Sequence, residues 1–268
     1  LPILQKAHRD WWHNYYPQSF VSLPDKKMEN FYWAQMYKLA SATRIGGGLL
    51  DNSGPWQVLT PWPNAWWNLN VQLSYWSVYA SNRLELGMPL VNAIGSNLNN
   101  LINNVPEAYR KDAAALPVAT DFNLIGETVN IPGTEKKAQV GNLPWICHNL
   151  WLQYRFSMDE SILRNTIFPT LRRAINFYLP FLKEDKQEKL HLQRTFSPEY
   201  GIAEDCNYDI ALLRWGCNTL LETTKILSID DELIPRWKQV IEKLTDYPQD
   251  ANGMMIGKDV PFSRSHRH

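Results

Sequence analysis

Two asparagines stand two residues apart in Trp66-Trp67-Asn68-Leu69-Asn70-Val71-Gln72, beside large aromatic rings. An amide offers both a donor and an acceptor and does not titrate, so Asn68 and Asn70 are suited to orienting a water or a sugar hydroxyl. Capping of a helix by Asn68 accounts for the same residue equally well. Further along, Phe196-Ser197-Pro198-Glu199-Tyr200-Gly201 sets one carboxylic acid between a turn-forming Pro and Gly. Pro198 restricts the backbone before Glu199, and the flanking aromatics are placed to desolvate the acid and favour the protonated form that a general acid needs. A third segment, Trp145-Ile146-Cys147-His148-Asn149-Leu150-Trp151, carries His148 at the edge of an apolar helical stripe, within reach of a cleft. A satisfied structural histidine is the alternative there. The chain ends on Ser265-His266-Arg267-His268, either a polar terminus or the lining of an anion or sugar site.

The elements that must hold these residues are helices. Leu143, Ile146, Cys147, Leu150, Trp151 and Tyr154 fall on one stripe at steps of three and four, and Ile210, Leu213, Cys217 and Leu220 make another. Stripes are also expected at Trp33, Met36 and Ala40; at Leu69, Leu73, Trp76, Ala80 and Leu84; at Val91, Ile94, Leu98, Leu101 and Val105; at Leu171, Ile175, Leu179 and Leu182; and at Ile234, Trp237, Ile241 and Leu244. Gly46-Gly47-Gly48, Ile131-Pro132-Gly133 and Tyr247-Pro248 read as connections. Alternating strand patterns are scarce, and residues 117–136 read as a β-hairpin or an irregular loop over a cleft. The expectation is an all-α packing of helical hairpins in a toroid.

Composition narrows the chemistry. With 27 basic and 27 acidic residues the formal net charge is zero, which gives no electrostatic reason to expect nucleic acid or an anionic membrane as partner. No apolar run reaches the ~18 residues of a membrane span, so membrane insertion is not expected. Twelve Trp and twelve Tyr, many beside Asn, Gln or Pro, supply ring faces of the kind sugars use, although core filling explains any single one. Cys147, Cys206 and Cys217 lack metal-ligand spacing and read as core thiols. No Ser-His-Asp order, phosphate-binding loop, dinucleotide fingerprint or His-Glu-x-x-His helix is present, leaving glycoside chemistry.

Taken in order, these segments resemble the catalytic domain of family 95 glycoside hydrolases, the α-L-fucosidase family, an (α/α)6 toroid of six hairpins. Asn68 through Trp76 is similar to the family's Asn-x-Asn-x-Gln-Met-Asn-Tyr-Trp, and Trp145 through Tyr154 to its Trp-x-x-x-His-Leu-Trp-x-x-Tyr helix. Ser197-Pro198-Glu199 is similar to its Ser-Pro-Glu-Asn turn, and His266-Arg267-His268 to its His-Arg-His-x-Ser-His segment.

The resemblance implies that Glu199 protonates the departing oxygen while Asn68 and Asn70 position the attacking water, giving inversion. His148, Trp66, Trp145, His266, Arg267 and His268 would contact the sugar. The family's assisting Asp has no placed match, and the chain is expected to be part of one toroid domain spanning 1–268. Trp66 stands where the family commonly has His, and Tyr200 replaces the Asn after Ser-Pro-Glu. Galactose-type sugars are therefore expected alongside L-fucose, in plant or host glycans. No cofactor is implied, and the expected setting is secreted or periplasmic. Two other readings are a non-catalytic carbohydrate-binding relic and a polysaccharide lyase that uses Tyr200 and Arg267.

Overall fold

The computed structural model describes residues 1–50, 52, 54, 56, 60, 62 and 64–262. The helices in chain order are α1 (Pro2–Tyr15), α2 (Lys26–Ala42), α3 (Asn70–Ala80), α4 (Met88–Ser96), α5 (Leu98–Asn103), α6 (Asn142–Ser157), α7 (Glu160–Ile162), α8 (Phe168–Asn176), α9 (Asn207–Leu227) and α10 (Ile234–Lys243). Helix α2 begins where the Asp25 carboxylate accepts the N–H groups of Lys27 and Met28, partners for donors the first turn leaves open.

Side-chain contacts fix the helix directions. Asn149 of α6 bonds the Gln72 carbonyl of α3, and Gln153, one turn on, bonds Leu84 just past the end of α3. Both numbers rise together, so α3 and α6 run the same way. Trp145 meets Tyr208 and His148 meets Trp215, which sets α9 parallel to α6. In contrast, Tyr178 reaches Asp209 near the start of α9, while Gly216, further along, faces Leu171 and Ile175 of α8. Helix α8 therefore returns antiparallel to α9. A side chain at 216 would strike Ile175, so glycine there lets α8 and α9 approach closely. Parallel inner helices α3, α6 and α9, with returning helices packed behind them, are the all-α toroid arrangement expected from the stripes.

The stripes on α6 and on α9 are buried as expected, as are Met36 and Ala40 of α2 and Trp237 of α10. Cys147, Cys206 and Cys217 are free thiols in the core. Three stripes need correction. Helix α3 exists, but it buries Val71, Tyr75, Val78 and Tyr79, whereas Leu73 and Trp76 are 40% and 46% exposed. The Val91–Val105 stripe is split at Asn97, where φ −115 and ψ 23 leave the helical range, into α4 and α5. The fourth stripe ends early: Leu171 and Ile175 lie in α8, but Leu179 is in a 3-10 turn and Leu182 in a strand.

The strands form two-stranded antiparallel ribbons: β1 (Ala65–Trp66) with β2 (Ala119–Thr120), β3 (Leu182–Glu184) with β4 (Leu190–Leu192), β5 (Thr195–Ser197) with β6 (Gly201–Ala203), and β7 (Gln249–Asp250) with β8 (Gly253–Met254). Residues 117–136 are mainly irregular, tied down by β2 and a bridge between Thr120 and Gly126. No described helix is long and apolar enough to cross a membrane.

Candidate active site

The Asn68 turn is built on Trp67. This residue is fully buried; its indole N–H donates to the Thr120 hydroxyl at 2.9 Å, its backbone N–H donates to Val118 at 2.8 Å, and its carbonyl accepts the Gln72 amide. With Trp67 pinned from three sides, the chain enters α3 through Leu69 at φ 154 and ψ −48, a conformation a Cβ disfavours and only firm surroundings maintain. Leu69 is the N-cap and no side chain caps the helix, so the capping role for Asn68 is not realised. Asn68 is largely buried and Asn70 half-buried at the first turn. Trp66 precedes them in β1, half-buried and paired with Ala119.

Glu199 sits at the tip of the β5–β6 hairpin, whose register pairs Ser197 with Gly201. The Tyr200 N–H donates to the Ser197 carbonyl at 3.1 Å, and Glu199 takes φ 60 one residue after Pro198. That is the third position of a type II-like turn, usually held by Gly or Asn; an L side chain there costs about 1–2 kcal/mol. The acid is thus held in a disfavoured backbone conformation by its hairpin. Its desolvation by neighbouring aromatics is not what the structure shows: Glu199 is exposed, and the Tyr200 ring turns to Phe262, 5.9 Å away.

The hairpin is joined to its surroundings along β5. The Phe196 N–H donates to Ala138 at 3.0 Å, and the Lys137 ammonium lies 5.0 Å from the Phe196 ring centroid. Below it, Asp209 accepts the Thr195 hydroxyl at 2.6 Å and the Tyr178 hydroxyl at 2.7 Å. Burial pushes the Asp209 carboxyl up to about 6, against the pull of those two bonds.

His148 is half-buried in α6 and lies edge-on to Trp215 at 5.2 Å; burial lowers its pKa and favours the neutral ring. Trp145, one turn earlier, is half-buried against Tyr208 at 5.8 Å. Glycine at 141 leaves room for the Tyr208 ring, which a Cβ would strike.

These pieces lie toward one end of the helical layer. The Asn68–Asn70 turn opens α3, Trp145 and His148 occupy the first half of α6, and the Glu199 hairpin directly precedes α9, with all three helices parallel. A cleft of about 660 Å³ opens beside them, lined by Trp66, Asp121, Glu127, Asn130, Lys137 and Gln139. Neither asparagine nor Glu199 lines it. Its connection to the acid runs through Lys137 and Ala138, which contact Phe196 three residues before Glu199. His266, Arg267 and His268 lie outside the described residues.

Gln139, Lys137 and Asp209 were not apparent as site neighbours from their positions in the chain. Gln139 keeps a buried carbonyl oxygen without a hydrogen-bond partner. For Asp209 the only local sign is its place in the first turn of α9, where any carboxylate suits the helix dipole.

Residues 14–263 match the family described as "Glycosyl hydrolase family 95 catalytic domain". The chain belongs to that family. It is 24% identical over 214 residues to "Alpha-L-fucosidase 2" of Arabidopsis thaliana, covering 74% of this chain and 25% of that protein. It is 26% identical over 141 residues to "Probable alpha-fucosidase A" of Aspergillus niger (strain ATCC MYA-4892 / CBS 513.88 / FGSC A1513), covering 50% of this chain and 17% of that one. The matched segments thus span a quarter or less of these relatives' lengths. A solved structure described as "Putative kojibiose phosphorylase from human microbiome" superposes with a TM-score of 0.61 over 83% of this chain and 32% of its own. At 13% identity it speaks for the shared fold alone.

Proposed function

We propose that the protein is an inverting, exo-acting glycoside hydrolase that removes terminal sugars of the L-fucose or galactose type from plant or host glycans, with 1–268 forming part of its catalytic domain. The observation that carries this reading is the grouping of the family-matching segments at the leading ends of α3, α6 and α9.

In this reading Glu199 is the general acid. An exposed carboxyl on a rigid turn can deliver a proton to a bound glycosidic oxygen once the glycan itself excludes water. Asn68 and Asn70 orient the attacking water through their amides, and a carboxylate outside the placed residues completes its activation. His148, neutral at physiological pH, donates to or accepts from a sugar hydroxyl. Trp66 and Trp145 offer ring faces to the sugar, and His266, Arg267 and His268 add polar contacts. A secreted or periplasmic setting suits a glycan substrate.

The test is hydrolysis of aryl fucosides, galactosides and xylosides and of matching oligosaccharides by the full-length protein, with the anomer of the first product followed by proton NMR. Release of one terminal L-fucose or galactose-type monosaccharide with inverted configuration is expected. Retained configuration contradicts the inverting mechanism, and no turnover of any glycoside contradicts the enzyme.

A further inference from the structure

Asp209 is completely buried beside the hairpin, and the mechanism above gives it no task. It lies in the first turn of α9 and grips two other elements: Thr195, the first residue of β5, and Tyr178, just beyond α8. Thr195 is completely buried and stands four residues before Glu199. The other leg of the same hairpin is held close by, where the Cys206 thiol contacts the carbonyls of Thr195 and Ala203 at 3.6 Å and 3.5 Å.

We propose that Asp209 is a positioning residue for Glu199, fixing the base of the β5–β6 hairpin to the inner helix α9 through Thr195 so that the acid at the tip meets the glycosidic oxygen. The inference rests on the reading of Glu199 as general acid. Glu199 occupies a left-handed turn that its side chain disfavours, and the hairpin's base carries that turn, so a shift at the base shifts the acid. A buried charge-assisted bond is the strongest anchor available there, because breaking it leaves a desolvated oxygen without a partner. A general acid misplaced by about an ångström loses much of its advantage while substrate binding is little affected.

Misplacing an acid has a signature that general weakening of the fold lacks. Protonation matters for a leaving group that departs poorly and hardly at all for one that departs readily as an anion. The experiment compares kcat and KM of the full-length protein and its Thr195→Val, Thr195→Ser, Asp209→Asn and Glu199→Gln variants on a substrate pair sharing one sugar, with alkyl and dinitrophenyl leaving groups. The proposal expects Thr195→Val to lower kcat on the alkyl glycoside by about 10-fold or more, with less than about 3-fold change on the aryl glycoside and little change in KM. Thr195→Ser, which keeps the hydroxyl, is expected to restore the alkyl activity. Should Thr195→Val not fold, Asp209→Asn, nearly the same shape, poses the same question from the helix side. Equal losses on both substrates, or no loss, overturn the positioning role. If Glu199→Gln itself shows no dependence on the leaving group, the acid reading fails and the inference falls with it; a strong dependence in Glu199→Gln alone overturns the positioning role only.

Discussion

The Asn149 side chain donates to the Gln72 main-chain carbonyl at 2.9 Å, joining α6 to α3 one residue past His148 and two past Asn70. A buried amide thereby sets the spacing between the two helices that carry most of the candidate site. Both residues are fully buried, so Asn149→Ala removes a hydrogen bond and leaves space in a packed interior. The expected loss is about 2 kcal/mol by urea denaturation, with an unchanged dependence on denaturant.

Ion pairs offer a second contrast. Arg172 of α8 bonds Asp112 at 2.5 Å and Asp231 at 2.6 Å, with the Arg and Asp231 side chains 16% and 10% exposed. Arg155 and Glu222 meet at 3.3 Å with both side chains about half exposed. Replacing Arg172 by Ala leaves Asp231 largely buried without this cation, while Asp112 keeps Arg173 at 3.8 Å, so a loss of about 2–3 kcal/mol is expected. Arg155→Ala is expected to cost less than about 1 kcal/mol. Thermal melts of the two variants check the ranking.

Protonation of His191 should stabilise the folded chain. Partial burial opposes the charged ring, but the hydrogen bond and charge of Asp205 at 2.7 Å, with Asp185 at 3.2 Å adding to both, raise its pKa above the usual value. The folded state therefore holds the proton more tightly than the unfolded chain. Its contribution is complete below the unfolded histidine value of about 6.5 and disappears as pH rises through the higher folded value. Denaturation midpoints of the native protein and of His191→Gln should differ most below pH ~6 and converge at alkaline pH. A constant difference contradicts the linkage.

Asp209 follows the same sign over a more acidic window. Its folded value of about 6 lies above the ordinary Asp value of 3.8, so this group's stabilisation is full below pH 3.8 and is lost as pH rises through 6. Two pH units correspond to about 3 kcal/mol. Relative to the native protein, Asp209→Asn should gain about that much stability between pH ~4 and ~7, whatever its offset at pH 4. Paired urea titrations at the two pH values measure it.

The sequence showed some of this directly and left some out of sight for reasons specific to each element. The α6 stripe was legible because Leu143, Ile146, Cys147, Leu150, Trp151 and Tyr154 repeat at steps of three and four, and all six are buried. Helix α3 was found but turned the wrong way: with Leu73 and Trp76 on one side and Val71, Tyr75 and Val78 on the other, apolar residues surround the axis and periodicity cannot choose. The strands span two or three residues, too short for an alternating pattern, and their pairing is tertiary. Within the site, Ser197-Pro198-Glu199 announced a turn by its composition, and a turn is what forms. The Asp209–Thr195 bond had no such sign, since nothing in the spacing of residues 195 and 209 says that a strand lies on a helix start.

The central claim is that Glu199 protonates the departing oxygen of a glycoside, and the measurement that tests it most directly is the effect of Glu199→Gln on kcat in the full-length protein for leaving groups of graded acidity. The account predicts a fall of about 10²-fold or more for the poorest leaving group and a deficit that shrinks steadily as the leaving group improves. A variant as active as the native protein on the poorest leaving group, or equally impaired on every one, contradicts it.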